Sequence, residues 1–317
     1  MFMASGEKSE LLEWTIGMKY YFAPLEGITG YVYRNAFQEF YPGVDKYFSP
    51  FIENLKTREI RDIMPEYNKV EYLVPQVLTN DAERFLAIAA KAEEYGYKEI
   101  NLNLGCPSMT VVTKCKGAGF LADINRLTEF LDKITEELNM RLSIKTRIGK
   151  EDREEFYKLI EIFNRYDLEE LIIHPRLQKD FYRGTPDVKM YGEVVKLSRN
   201  PLCYNGDLCS VEDVARFREQ FPDTDAVMIG RGFLANPGLI TELIAGSPAG
   251  ADTFWKFHDR LLEGYIEIMS GDRNVLFKMK ELWTYMIKQF PGNEKTYKKI
   301  MKSSSVIEYK SEVAQLR

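Results

Sequence analysis

The chain has little of what several protein classes require. It carries only two histidines and four cysteines, and Cys106, Cys115, Cys203 and Cys209 show no CxxC spacing. That scarcity excludes a structural zinc site and a disulfide scaffold. No apolar run approaches the roughly 18–20 residues that cross a bilayer. The opening MFMASGEKSELLEWTIG lacks the basic patch, apolar core and cleavage site of a secretory signal, so the expectation is a soluble, cytoplasmic protein. Glycine (21) and proline (13) are too sparse for a low-complexity polymer. A GxGxxG turn after the first strand is missing too, since residues 23–30 read APLEGITG, which argues against an open dinucleotide-binding sheet.

What is present supports a large core: 45% of the 317 residues are hydrophobic and 13% aromatic. The length suits an α/β barrel of about 250 residues with a small appendage. Eight short apolar or β-branched runs, at 20–24, 46–52, 72–78, 99–105, 141–148, 168–176, 201–207 and 225–231, alternate with segments of helical spacing such as 81–96, 123–138 and 153–166. Eight β/α repeats predict a (β/α)8 TIM barrel. After residue 245 the pattern turns to helices without strands, beyond a linker-like IAGSPAGAD. We therefore expect an extension over 1–18, a barrel over 19–248 and a C-terminal helical domain over 249–317.

Chemistry in such barrels sits at the carboxyl ends of the strands. The polar residues there are Glu26, Gln76, Asn101, Asn103 with Cys106, Lys145 with Arg147, His174 with Arg176, Asn205 with Asp207, and Gly230 with Arg231. The NGD turn at 205–207 and the GRG turn at 230–232 follow strands seven and eight, the two loops that commonly hold a phosphate. Gly206 and Gly230 let the backbone approach, and Arg231 supplies charge. Lys145 offers a cation to an anionic ring, and His174 a donor to ligand oxygens. Gln76 suits a ring edge with both donors and acceptors. Cys106, between Gly105 and Pro107, projects a thiol that is protonated at neutral pH and able to act as an acid. Cys203 and Cys209 read as buried fillers, and Cys115 as a second-ranked thiol. Residues 271–317 hold ten Lys/Arg against five Asp/Glu, in a chain of net charge −5. Such a run reads first as a solvated helix face, and also as a footprint for a polyanion.

Taken in order, APLEGITGYVYR (23–34), NLNLGCPS (101–108), IKTRIG (144–149), HPRLQKDFYRG (174–184), YNGD (204–207) and IGRG (229–232) resemble the flavin-dependent tRNA-dihydrouridine synthases. The resemblance implies a barrel that holds FMN, a helical carboxyl-terminal domain that helps bind tRNA, and NADPH as the reductant. It places Pro24, Leu25 and Glu26 under the flavin, Gln76 and Lys145 at its ring edge with His174 nearby, and Asn205, Gly206, Asp207, Gly230 and Arg231 around its phosphate. Cys106 becomes the catalytic acid, giving a proton to C5 of uracil while hydride from reduced FMN reaches C6. Asn103, Arg147, Arg176 and Tyr182 fall on the substrate side, and Lys295, Lys298, Lys299 and Lys302 on the RNA phosphates. No metal is implied. Two positions depart from the family pattern: Pro175 replaces a common glycine, and Cys115 follows Cys106 in an unusual setting. The motifs leave open a small-molecule FMN oxidoreductase of the dihydroorotate or dihydropyrimidine dehydrogenase type, and a non-catalytic RNA-binding barrel.

Overall fold

A computed structural model describes residues 17–317. The expected extension falls outside them except for Gly17 and Met18, and Met18 is already buried in the core. The strands are β1 (Lys19–Phe22), β2 (Lys46–Phe48), β3 (Leu73–Val74), β4 (Gln76–Val77), β5 (Glu99–Leu104), β6 (Arg141–Arg147), β7 (Glu170–His174), β8 (Leu202–Tyr204) and β9 (Ala226–Ile229). They form one parallel sheet in the order β3-β2-β1-β9-β8-β7-β6-β5-β4. The third predicted run is thus two segments. Pro75 has no N–H to give the ladder and splits it, yet the Pro75 carbonyl accepts from the Asn101 N–H at 2.9 Å. Since β3 pairs with β2 and β4 with β5, the eight expected staves close into a barrel.

Strand side chains alternate between two cores, as a period of two demands. Tyr21, Phe48, Ile172, Cys203, Ala226 and Met228 pack with one another inside the barrel. Their neighbours Tyr20, Phe22, Leu171, Ile173, Val227 and Ile229 pack outward against the helices. The helices are those the periodicity predicts, at Ala82–Glu94, Ile124–Glu137 and Glu155–Phe163 among others. Asp81, Asp123, Asp187 and Ser210 cap helix N-termini by accepting a backbone N–H three residues on.

Past Gly246, four helices follow: Ala251–Ile268, Asp272–Met286, Glu294–Lys302 and Val306–Val313. Phe257 of the first packs edge-on against Tyr33, Phe37 and Tyr41, so the helical tail shares the outer core. The end of the chain is fastened by buried polar groups. The Trp283 indole donates to the Tyr309 hydroxyl at 2.7 Å, so that single O–H is left to donate to His258 Nε2 at 2.6 Å. No helix among the described residues is long and apolar enough to cross a membrane.

At the amino-terminal mouth, Lys46 reaches Glu99 at 2.9 Å and Glu170 at 3.2 Å, and Tyr21 donates to Glu170. Burial pushes the Glu170 carboxyl up, against the pull of Lys46 and Tyr21. Among the described residues Lys46 is the only cation that touches both buried acids, and removing it strands their charge. Lys46→Met should therefore cost about 3 kcal/mol in a urea unfolding experiment; a loss below about 1 kcal/mol would mean the pair is solvated.

Candidate active site

Parity along each strand decides which polar residues meet. Gln76, Asn103, Lys145, His174 and Asn205 lie at inward positions near the strand ends, and the loops beyond add Pro24, Leu25, Glu26, Cys106 and Arg231. Together they surround a cleft of ≈ 570 Å³ and a smaller hollow of ≈ 70 Å³ beside it. Lys145, His174, Tyr182, Arg231, Pro24 and Leu25 line both, so the two are continuous.

A chain of amide hydrogen bonds fixes the cysteine. Asn101 Nδ2 donates to Ser143 Oγ at 2.9 Å, Gln76 Nε2 to Asn101 Oδ1 at 2.8 Å, and Asn103 Nδ2 to Gln76 Oε1 at 2.8 Å. Asn103 Oδ1 then accepts the N–H groups of Gly105 and Cys106 at 2.9 and 3.0 Å. Four buried side chains on three strands thereby set the turn that carries the thiol. Burial pushes the Cys106 thiol up, outweighing the Ser108 N–H and the cations Arg147 and Lys145. It therefore stays protonated at neutral pH.

Lys145 is the reverse case. Burial, with Arg147 adding to it, pushes its ammonium down to about 8. Among the described residues no carboxylate pairs with it and no hydrogen bond reaches it. A partly buried cation without a partner is costly unless a ligand supplies one. His174 is likewise driven well below its ordinary value by burial and by Arg147, Lys145, Arg176 and Arg231. Its Nε2 lies 3.0 Å from Arg176 Nη1, and a guanidinium only donates, so Nε2 accepts and the neutral ring keeps its proton on Nδ1.

The arginines divide the labour. Arg147 borders the cleft and donates to the carbonyls of Gly105 (3.0 Å), Leu177 (2.7 Å) and Phe181 (2.6 Å). Its guanidinium lies 5.4 Å from the centre of the Tyr182 ring, and that of Arg231 5.0 Å. Tyr182 itself is exposed. Arg176 lines neither hollow: it is buried, pairs with Asp207 at 2.6 Å and donates to the Gly184 carbonyl at 2.6 Å. Asp207 also pairs with Arg231. Burial favours the neutral form of Asp207, but the two guanidinium groups outweigh it and hold the carboxyl below its usual range. The trio carries a net positive charge beside the small hollow, with Asp207 and Arg231 on its lining and Arg176 behind them. Asn205 is anchored through Nδ2 to the Met228 carbonyl at 2.7 Å. A side chain at Gly206 or Gly232 would clash with Tyr204 or with the Leu208 carbonyl, so both loops present backbone there.

Other residues were not legible. Thr284, Tyr285 and Lys288, from the helical tail, form one wall of the cleft. Only tertiary packing brings them there. Phe51 is the last residue but one of the second run, and a search for polar strand ends passes over an aromatic residue. Cys209 corrects an expectation: it is exposed and lines the small hollow, because Asp213 holds its N–H at 3.0 Å and keeps the loop at the surface. Cys203 is buried as expected, while exposed Cys115 does not line the cleft. Lys295, Lys298, Lys299 and Lys302 are exposed on the Glu294–Lys302 helix, away from the cleft lining, with Lys299 sharing Glu312 at 3.6 Å.

Comparison with known proteins decides the family. Residues 21–316 match the family described as Dihydrouridine synthase (Dus). The chain belongs to the dihydrouridine synthases. It is therefore an oxidoreductase. Among curated relatives, the tRNA-dihydrouridine synthase B of Pasteurella multocida is 25% identical over 69% of this chain and 67% of its own. A probable tRNA-dihydrouridine synthase of Helicobacter pylori is 26% identical over 84% and 82%. The tRNA-dihydrouridine(20/20a) synthase of Salmonella typhi is 30% identical over 59% of each. Among solved structures, an old yellow enzyme homologue from Zymomonas mobilis superposes with a TM-score of 0.53 at 12% identity, covering 75% of this chain and 92% of that one. This last likeness is one of fold.

Proposed function

We propose that this dihydrouridine synthase reduces uridines in tRNA to 5,6-dihydrouridine, with FMN as resident cofactor and NADPH as its reductant. The observation that carries the reading is the pairing of the partnerless Lys145 ammonium with the protonated Cys106 thiol in one cleft. The residues fit FMN. Lys145 supplies the cation that the pyrimidine edge of a reduced flavin requires, and Gln76 keeps one amide N–H for that edge beyond its bond to Asn101. Pro24 and Leu25 give the ring an apolar floor. The small hollow, lined by Gly206, Gly230, Asp207 and Arg231 and backed by Arg176, would take the phosphate. When bound and reduced, the cofactor supplies the hydride for C6 of the uracil.

This chain's own part is protonation and positioning. Cys106 holds the proton destined for C5, and its raised pKa keeps that proton in place until carbanion character develops. Asn103 fixes the turn so that Sγ need not search for its position. His174, neutral with Nδ1–H, donates to an oxygen without adding charge beside Lys145. A uracil in folded RNA must leave its stack to enter the cleft, at a cost of a few kcal/mol, which contacts elsewhere have to offset. Thr284, Tyr285 and Lys288 at the cleft wall, and Lys295, Lys298, Lys299 and Lys302 farther along the tail, would supply them.

Two outcomes follow. Cys106→Ala should bind FMN and stay yellow while dihydrouridine formation falls by about 10²–10⁴-fold; full activity would put the proton donor elsewhere. Because Lys145 is an ammonium only below about 8 in the free protein, FMN affinity should be level up to that pH and weaken above it. Flavin fluorescence titrations from pH 6 to 10 read this directly, and Lys145→Met should be weak and flat across the range. A wild-type profile equally flat would remove Lys145 from the ring edge.

A further inference from the structure

Beside the cleft lies a second hollow of ≈ 350 Å³ that the proposed chemistry leaves unused. The partition between them is one turn of chain. Glu26, Ile28 and Phe51 line both spaces, whereas Gly27 lines only the second. Gly27 has φ +74°, a left-handed conformation that lets the turn stand up as a thin wall, and its carbonyl accepts from Lys278 of the tail. The far side is formed by Tyr31, from the helix after β1, and by Tyr265, Ile268 and Met269, from the end of the first tail helix.

The chemistry of the hollow selects its occupant. Its carboxylates, Glu26, Glu59 and Asp62, outnumber its cations, Arg61 and Lys278. The cations are also engaged: Lys278 with the Gly27 carbonyl and with Glu281 at 3.1 Å, and Arg61 over the Tyr67 ring at 5.7 Å. A phosphate is therefore disfavoured. What the walls offer is aromatic and aliphatic surface with acceptors at the rim. Glu59 is one of them: its Oε2 takes the N–H groups of Glu53 and Asn54 at 2.7 and 2.8 Å, and its Oε1 has no hydrogen-bond partner among the described residues. That is the profile of a site for a flat, uncharged ring bearing N–H donors, and aromatic platforms bind nucleobases in this way.

We propose that this hollow receives the base of the nucleotide next to the uridine being reduced, so that two successive bases leave the stack and straddle the Glu26–Ile28 turn. The inference rests on the proposed RNA substrate. Continuity of the two spaces through one turn matches the connection between neighbouring nucleotides, and it gives the tail helix Ala251–Ile268 a part in choosing which uridine is presented. Stacking of the second base against Tyr31, Phe51 and Tyr265 offsets part of the cost of extruding the first.

The test uses the full-length protein and a tRNA transcript whose reduced uridine has been mapped, alongside transcripts abasic at its 5′ or 3′ neighbour. For the wild type, one of the two abasic transcripts should raise KM about tenfold with kcat little changed. Ile268→Trp, which fills the hollow from the tail, should raise KM on intact transcript by a similar factor with kcat little changed, and be indifferent to the abasic site. KM changes below about twofold for both abasic transcripts, or penalties that multiply in the Ile268→Trp protein, overturn the inference while leaving uridine reduction intact. Absence of dihydrouridine from intact transcript with wild-type protein overturns the RNA reading and this inference together.

Discussion

An uncompensated positive charge inside the barrel mouth is the constraint around which the site is arranged. Lys145 stands on β6 at an inward position where folding alone gains nothing by placing it. A buried ammonium would ordinarily draw a carboxylate, and here it has Arg147 as a neighbour and thiols below and beside it. The surrounding groups accommodate that charge. His174 stays neutral, Arg147 spends its donors on three carbonyls, and Arg176 and Arg231 share Asp207. The excess of positive charge is left for a ligand, and the thiol in the same field remains protonated because burial outweighs the cations.

The two ends of the barrel show the same residue types under opposite accounting. At the amino-terminal end Lys46 is matched by Glu99 and Glu170, with Tyr21 and Tyr72 completing the contacts. That network matches its cation with carboxylates, and the polar atom it leaves over is an acceptor, the buried Glu99 Oε1. At the carboxyl end the amide chain from Ser143 to the Cys106 N–H leaves one Gln76 N–H over, and Lys145 has no carboxylate partner among the described residues. The matched cation at one end serves the fold, and the unmatched one at the other serves a ligand. The helical tail completes the second end, since its side chains wall the cleft and the neighbouring hollow.

Much of this was legible because parallel strands buried on both faces leave a plain signal. The runs at 99–105 and 141–148 became β5 and β6 within one residue at each end, and polar residues at their ends are conspicuous against an apolar background. Asn103, Cys106 and Lys145 were found that way. The splitting of the third strand was written in Pro75 but not its repair, which depends on the Asn101 N–H across the ladder. Arg176 shows the limit of the method. A strand-end arginine looks like a ligand residue, and only the path of the 176–184 loop shows it turned toward Asp207 and two carbonyls. Tyr285, Lys288 and Ile268 carry no local mark, because what matters about them is the docking of the tail through Phe257 onto Tyr33, Phe37 and Tyr41.

The most direct test of the account is a crystal structure of the protein with FMN and a uridine nucleotide bound. The account requires the Lys145 ammonium in hydrogen-bond contact with the pyrimidine edge of the flavin, and Cys106 Sγ facing the flavin from the opposite side of the uracil. A flavin bound without contact to Lys145, or a uracil flanked by a different proton donor, would contradict it.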